Sequence, residues 1–208
     1  MFLAENGTMV MYHGQELFSS TMERSLAYQV WKAAEQQPAV YRIFCGKQDA
    51  YVLEAEYDAV IQAELAKYYT HSAVVEDFAQ IKDEPIKVAF FDPTGQAART
   101  IYPLLKPFCN RLQVVLSSDY WVDVMNADIN KGVAVQQVQE YLHITPEECA
   151  AFGDYMNDAE MLAAVGYSFA MENAHPDIKK IARFTTDSNA DAGVLHGIQR
   201  MLDKGICG

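Results

Sequence analysis

Several common functions are excluded by what this chain has little of. Its 208 residues include only four cysteines, Cys45, Cys109, Cys149 and Cys207, widely spaced and without a C-x-x-C pair or a cysteine–histidine cluster. Nothing there spells a zinc site or a disulfide framework, and free, buried thiols in a reducing compartment are expected. Basic residues are scarce too: 16 stand against 28 acidic ones, for a formal charge of -12. That balance argues against general nucleic-acid binding and against attraction to anionic lipid. The opening M-F-L-A-E-N-G carries no basic leader and no apolar run approaches the length of a membrane span, so the expectation is a cytoplasmic protein with no membrane partner. No serine or cysteine stands in a G-x-S-x-G setting. The five histidines, His13, His71, His143, His175 and His196, are scattered and are expected to be structural or surface residues. Trp31, Trp121 and the many tyrosines are expected in packing rather than in a base-stacking platform.

What remains is ample for folding: 50% of the residues are apolar, enough for one or two domains with a real core. Residues 2–4 are apolar and already resemble core, Asn6-Gly7 signals a turn, and His13-Gly14 separates a β-rich run at 8–12 from another at 15–18. Leu26, Val30, Trp31 and Ala34 share one face of a helix predicted over 22–37, which Pro38 stops. Strands are predicted over 40–45, 51–54 and 86–91 and a helix over 57–69. A second helix, over 97–105, should be ended or kinked by Pro103, and 112–116 with 121–125 form a hairpin. Hairpins with helices to one side make the region 15–125 α+β.

After that the rhythm changes. Asn130-Lys131-Gly132 opens a helix whose apolar stripe is Ala134, Val135, Val138, Tyr141 and Leu142. Thr145-Pro146-Glu147-Glu148 is a capping box with proline at the first helical position. A strand from Ala150, a helix over 158–165, a strand over 167–171, a helix over 176–182, a strand over 184–186 and a helix over 192–202 then alternate, as in a doubly wound parallel sheet. The chain reads as two architectures, one inserted in the other.

The stretch A-A-F-G-D-Y-M-N-D-A-E-M-L at 150–162 concentrates the chemistry. An apolar strand breaks at Gly153 and delivers Asp154, with Asp158 four residues on. The crevice outside the carboxyl ends of parallel strands is where ligands sit, and Mg²⁺ commonly takes one or two protein carboxylates there. The same residues also suit a plain strand-to-helix turn with Asn157 or Asp158 as a cap. Lys131 places an ammonium at the start of a helix, where the N–H groups favour anions but a cation is electrostatically unhelpful. It either holds a phosphate or is a solvated surface lysine. Asn173-Ala174 and Asp187-Ser188-Asn189 are further strand-end loops on the same side.

N-K-G at 130–132, G-D-x-x-N-D-A-E-M-L at 153–162, Y-S-F-A-M-E-N-A at 167–174 and I-A-R-F-T-T-D-S-N at 181–189 together resemble the haloacid-dehalogenase-like (HAD) phosphatases of the Cof type, bacterial sugar-phosphate phosphatases among them, and A-E-N-G at 4–7 fits as well. The resemblance implies an α/β protein: a HAD-like doubly wound Rossmannoid core, incomplete at its N-terminus, formed by 1–14 plus 126–208, with an inserted α+β cap over 15–125. It implies a Mg²⁺-dependent phosphatase of small phosphorylated metabolites, sugar phosphates first. Asp154 would be a metal ligand, Asp158 would support the metal site, and Lys131 and Asn157 would hold the substrate phosphate.

It also implies an attacking aspartate in a D-x-D-G-T block, and no such block occurs in the chain. F-F-D-P-T-G at 90–95 puts Asp92 at a strand end but has Thr94 where the second acid should stand, and reads as a turn. Asp128 and Asn130 belong to the lead-in of the Lys131 helix. Covalent phosphoryl transfer needs a carboxylate in line with phosphorus, so no catalytic nucleophile is assigned and the chain alone is expected to be inactive. The expectation is the larger part of a phosphatase whose N-terminal segment is absent, prone to self-association through an unpaired sheet edge. The alternatives are a non-catalytic ligand- or protein-binding module of the same fold and a mutase sharing the chemistry.

Overall fold

The computed structural model describes residues 2–206. Two of the sequence expectations, the free thiol at Cys207 and the core packing of Phe2, Leu3 and Ala4, lie outside the described residues and side chains. Two compact units divide the chain, Met1–Ile129 and Asn130–Gly208.

The first unit opens with an antiparallel meander of β1 (Phe2–Ala4), β2 (Met9–Tyr12) and β3 (Gln15–Ser19). Glu5, Asn6 and Gly7 join β1 to β2 with φ values of 52°, 56° and 94°. Side chains other than glycine enter that left-handed region at a cost, and a polar network holds these in place. Lys87 Nζ lies 2.5 Å from Glu5 Oε2 and 2.9 Å from Asp123 Oδ1, while Asn6 Nδ2 donates to Asp123 Oδ2 at 2.6 Å. Burial works against the charge on Lys87, but the Asp123 and Glu5 carboxylates outweigh it and hold its pKa well above the ordinary lysine value.

The remainder of this unit is a six-stranded sheet with helices. Its strands are β4 (Tyr41–Gly46), β5 (Ala50–Leu53), β6 (Ser72–Val75), β7 (Pro85–Phe91), β8 (Leu112–Leu116) and β9 (Trp121–Asn126), in the order β6-β5-β4-β7-β9-β8. All neighbours are antiparallel except β5 with β6. Side-chain alternation sends successive residues of a strand to opposite faces, so β7 serves two cores. Val88 and Phe90 pack with Leu26, Val30 and Trp31 of α1 (Arg24–Lys32), and Ala89 and Phe91 pack with Ile61 and Leu65 of α2 (Ala59–Tyr68).

In this unit one helix end differs from the sequence expectation, one expected break is present, and one strand was not foreseen. The helix predicted over 22–37 ends at Lys32 and continues only as turns, with Ala39 left-handed at φ 61° before β4. The helix predicted over 97–105 is broken as Pro103 led one to expect, into α3 (Ala97–Thr100) and α4 (Tyr102–Leu105), because Pro103 in the first turn of α4 cannot extend α3. Strand β6 was not expected, since its S-A-V-V is short and half exposed at the sheet edge.

In the second unit helices alternate with a parallel sheet. They are α5 (Lys131–Leu142), β10 (Ala150–Gly153), α6 (Ala159–Ala163), β11 (Tyr167–Ala170), α7 (Pro176–Ile181), β12 (Phe184–Thr185) and α8 (Gly193–Asp203). The sheet order is β10-β11-β12, with Ala150 opposite Tyr167 and Phe169 opposite Phe184. Leu162 of α6 and Ile178 of α7 close the core over Ala151 and Ala170. Gly197 lets α8 approach the sheet, since a Cβ there would stand 2.4 Å from the Phe152 ring. The fold class is therefore as expected, an α+β region followed by parallel β/α alternation.

The three described cysteines are free but not uniformly buried as expected: Cys45 is buried, Cys109 is exposed and Cys149 lies between. The last two sit in turn structure beyond element ends, where no core covers them. Among the described residues no helix is long and apolar enough to cross a membrane.

Candidate active site

The carboxyl end of β10 and the amino end of α5 build this site. Asn130 caps α5, its side chain accepting the N–H of Val133 at 2.9 Å, which places Lys131 at the first helical position. Gly132 follows because nothing larger fits: a Cβ there would lie 2.6 Å from the carbonyl oxygen of Glu160 in α6. That close approach brings Lys131 Nζ to 2.5 Å from Oδ1 of Asp158, whose side chain is only 7% exposed.

Asp158 ends a 3-10 turn, Met156–Asp158, between β10 and α6. Its Oδ2 accepts the N–H of Asp154 at 2.9 Å and of Tyr155 at 3.2 Å. The side chain thus reaches back to fix the loop and makes no capping bond to α6. The turn reading and the site reading both describe this residue, which closes the loop with one oxygen and holds a lysine with the other. Gly153 is required beside it, since a Cβ there would meet the Asp158 Cβ at 2.6 Å.

Asp154 follows the last residue of β10 and is half-buried. Its carbonyl accepts the N–H of His175 at 2.8 Å, and its Oδ2 accepts Nδ2 of Asn189 at 2.6 Å. Asn189 in turn donates its N–H to Oδ1 of Asn173 at 3.0 Å. Three strand-end loops are therefore linked at Asp154, one of them directly to its carboxylate. Asn157 stands in the 3-10 turn immediately before Asp158, partly exposed.

The structure brings Lys131, Asp154 and Asp158 together and places Asn157 on the same turn. Sequence reasoning noted the loops at 173–174 and 187–189 but did not single out Asn189, which bonds Asp154 across 35 positions. Its signal was the D-S-N ending a strand on the same side. Asp92, considered as a substitute nucleophile, has both oxygens engaged: Thr94 N–H (2.8 Å) and Oγ (2.6 Å) and Thr100 Oγ (2.5 Å) donate to it. It is the strand-end turn that the sequence suggested.

Among the described residues no group of three or more histidines, cysteines or carboxylates is placed to hold a metal ion. A hard cation that keeps most of its waters does not need such a group. Asp154 fits one protein contact of that kind, because among the described residues only one of its oxygens is engaged, and by a neutral amide. Asp158 fits a supporting role, since N–H donors occupy both its oxygens.

This arrangement, on this fold, defines a class: the chain belongs to the haloacid dehalogenase-like hydrolases, whose family profile matches residues 1–198. The resemblance read from the N-K-G and G-D-x-x-N-D blocks is borne out. Among its relatives is the 5-amino-6-(5-phospho-D-ribitylamino)uracil phosphatase YbjI of Escherichia coli K12, 29% identical over 202 residues, 97% of this chain and 74% of that protein. SMU.1108c of Streptococcus mutans UA159 has a crystal structure similar to this one at TM-score 0.82 and 25% identity, over 95% of this chain and 75% of that one. The structure described as the HAD subclass IIB sugar phosphatase BT4131 shares the fold at TM-score 0.80 and 19% identity, over 97% of this chain and 74% of that one.

Proposed function

We propose that this chain carries the metal- and phosphate-holding part, and the substrate-selecting cap, of a Mg²⁺-dependent phosphatase of small phosphorylated metabolites, sugar phosphates first. The observation that carries the reading is the Lys131–Asp158 pair beside Asp154 at the carboxyl end of a parallel strand. The E. coli relative is named for a phosphorylated ribityl compound, so phosphorylated sugars and polyols are the class to test. Residues 1–14 with 126–208 are assigned to the core and 15–125 to the cap.

In this reading Asp154 is a direct ligand of Mg²⁺, which supplies charge neutralisation for the phosphate when bound. Asp158 supports the site by fixing the loop and aiming Lys131. Lys131 holds a phosphate oxygen as a point charge, and Asn157 donates to another. Binding and charge stabilisation are the work of these side chains. The displacement at phosphorus needs a carboxylate that this sequence does not offer, so the chain by itself binds but does not turn over.

Calorimetric titration with glucose 6-phosphate, with and without Mg²⁺, tests this, together with a phosphate-release assay. Mg²⁺ is expected to strengthen binding, Asp154→Asn to abolish that enhancement, and no phosphate to appear. Release that is lost in Asp154→Asn would overturn the inactivity, and absence of any binding would overturn the phosphate site. A second reading, a binding module that associates through a sheet edge, is favoured by the outer edge of β10, which has no strand partner among the described residues.

A further inference from the structure

A groove of about 440 Å³ lies in the second unit, near the amino ends of β11 and β12, where Tyr167 and Phe184 begin those strands. The candidate active site follows the carboxyl end of β10, so the groove is a separate feature of the same sheet. Its volume is in the range that encloses a small molecule.

Its lining is unusual for this protein. Residues 130–208 contain eleven Asp and Glu against six Lys and Arg. Four of those six cations, Lys179, Arg183, Arg200 and Lys204, line the groove, and among the described residues no carboxylate does. Proximity to the C-terminal end of α8 explains why Arg200 and Lys204 are tolerated there. It does not explain why the cations here are so sparsely paired in so acidic a unit. Only Arg200 meets a carboxylate, Asp187 at 3.2 Å, and among the described residues Lys179 and Lys204 have no ion-pair partner.

Between the cations are rings. Tyr167 and Phe184 are nearly parallel, with planes 11° apart and centroids at 6.4 Å, and Phe169 continues the aromatic floor. The Arg183 guanidinium sits over both outer rings, 5.4 Å from Phe184 and 6.0 Å from Tyr167, and is held by the carbonyl of Gly166 at 3.1 Å. A planar guanidinium fixed in this way offers a stacking face and further N–H donors to a ligand.

We propose that this groove is a second ligand site that takes a small aromatic phosphate of the nucleoside monophosphate class. The flat ring packs on the Arg183 and aromatic surface, and the phosphate is held by Lys179 and Lys204. Neither half of the lining accounts for such a ligand alone: rings without cations would suit a neutral heterocycle, and cations without rings would suit any phosphate. The two together select a molecule with both parts.

The test is a titration of the full chain in its Asp154→Asn form, without Mg²⁺, followed by ¹H–¹⁵N chemical shifts. That substitution separates this site from the proposed phosphatase site, so either can fail without the other. Adenosine 5′-monophosphate is expected to shift the amides of Tyr167, Arg183 and Phe184. Adenosine and ribose 5-phosphate should each bind at least about tenfold more weakly, because each lacks one set of contacts. Lys179→Gln combined with Lys204→Gln should weaken the nucleotide by about tenfold or more. Both lysines are exposed, so the fold is expected to persist, with far-ultraviolet circular dichroism as the check. The proposal is overturned if no binding occurs at millimolar nucleotide, if ribose 5-phosphate binds as well as the nucleotide, if the shifts fall only around Lys131 and Asn157, or if the folded double variant binds unchanged.

Discussion

Lys131 Nζ lies 2.5 Å from Asp158 Oδ1, and the other oxygen of the same carboxylate holds the N–H groups of Asp154 and Tyr155. One side chain therefore joins the start of α5 to the loop after β10. Asp158→Asn removes the charge partner from a half-buried ammonium and weakens the loop bonds. A loss of about 1–3 kcal/mol is expected, the range for a buried charged hydrogen-bond partner left unmatched. Lys131→Ala leaves the more buried Asp158 carboxylate without its cation and should cost a similar amount. Chemical denaturation of both singles and the double variant checks this. Full additivity of the two losses would show that the pair does not act as a unit.

Gly132→Ala reverses a general rule. Within a helix the change ordinarily stabilises by about 1 kcal/mol. Here the new methyl would meet the Glu160 carbonyl at 2.6 Å, so α5 and α6 must separate. The expected outcome is a lower melting temperature and weaker sugar-phosphate binding together. A variant more stable than the parent would refute the close approach.

How much of this was legible in the sequence differs between local and long-range features. The chain order of helices and strands in the second unit was readable because each element carries its own period and punctuation, such as Pro176 at the start of α7 and the capping box at Thr145. That Lys131 and Asp158 belong to one site followed from resemblance rather than from spacing, and their direct ion pair was not foreseen, since nothing local links residues 27 positions apart. Asn189 escaped for the same reason. Strand β6 escaped because an edge strand needs little hydrophobic pattern, and the end of α1 was misplaced because Ala33 and Ala34 are as helical in propensity as the residues before them.

Acid should weaken the first unit partly through Asp92. Burial works against its charge, but bonds from Thr100 and Thr94 outweigh it and hold the carboxyl below its ordinary pKa. A group lowered on folding contributes stability that is fully present above its unfolded pKa, about 3.9. That contribution is lost as pH falls through the lower folded value. Asp92→Asn should be less stable than the parent at pH 7, and the difference should shrink below pH of about 4. Thermal melts of both proteins across that range are the measurement, and a constant difference would contradict it.

Burial raises the Cys45 thiol to about 12, whereas Cys109 is exposed. Because the thiolate is the reactive form, iodoacetamide at neutral pH should label Cys109 and leave Cys45 untouched until the chain is unfolded. Peptide mapping by mass spectrometry reads the result. Native labelling of Cys45 at a rate comparable to Cys109 would mean that the core around β4 opens readily.

The apolar residues of α8 carry the last prediction. Leu195, Ile198 and Leu202 are 63%, 40% and 49% exposed and recur at helical spacing, and the outer edge of β10 in the same unit has no strand partner among the described residues. An exposed stripe and an open strand edge both favour pairing with another chain. Sedimentation equilibrium should therefore show association that grows with concentration. Leu195→Glu with Leu202→Glu should reduce it while leaving far-ultraviolet circular dichroism intact, since both side chains already face solvent. A parent protein that stays monomeric at every concentration reached would remove the sheet edge and this stripe as a contact surface.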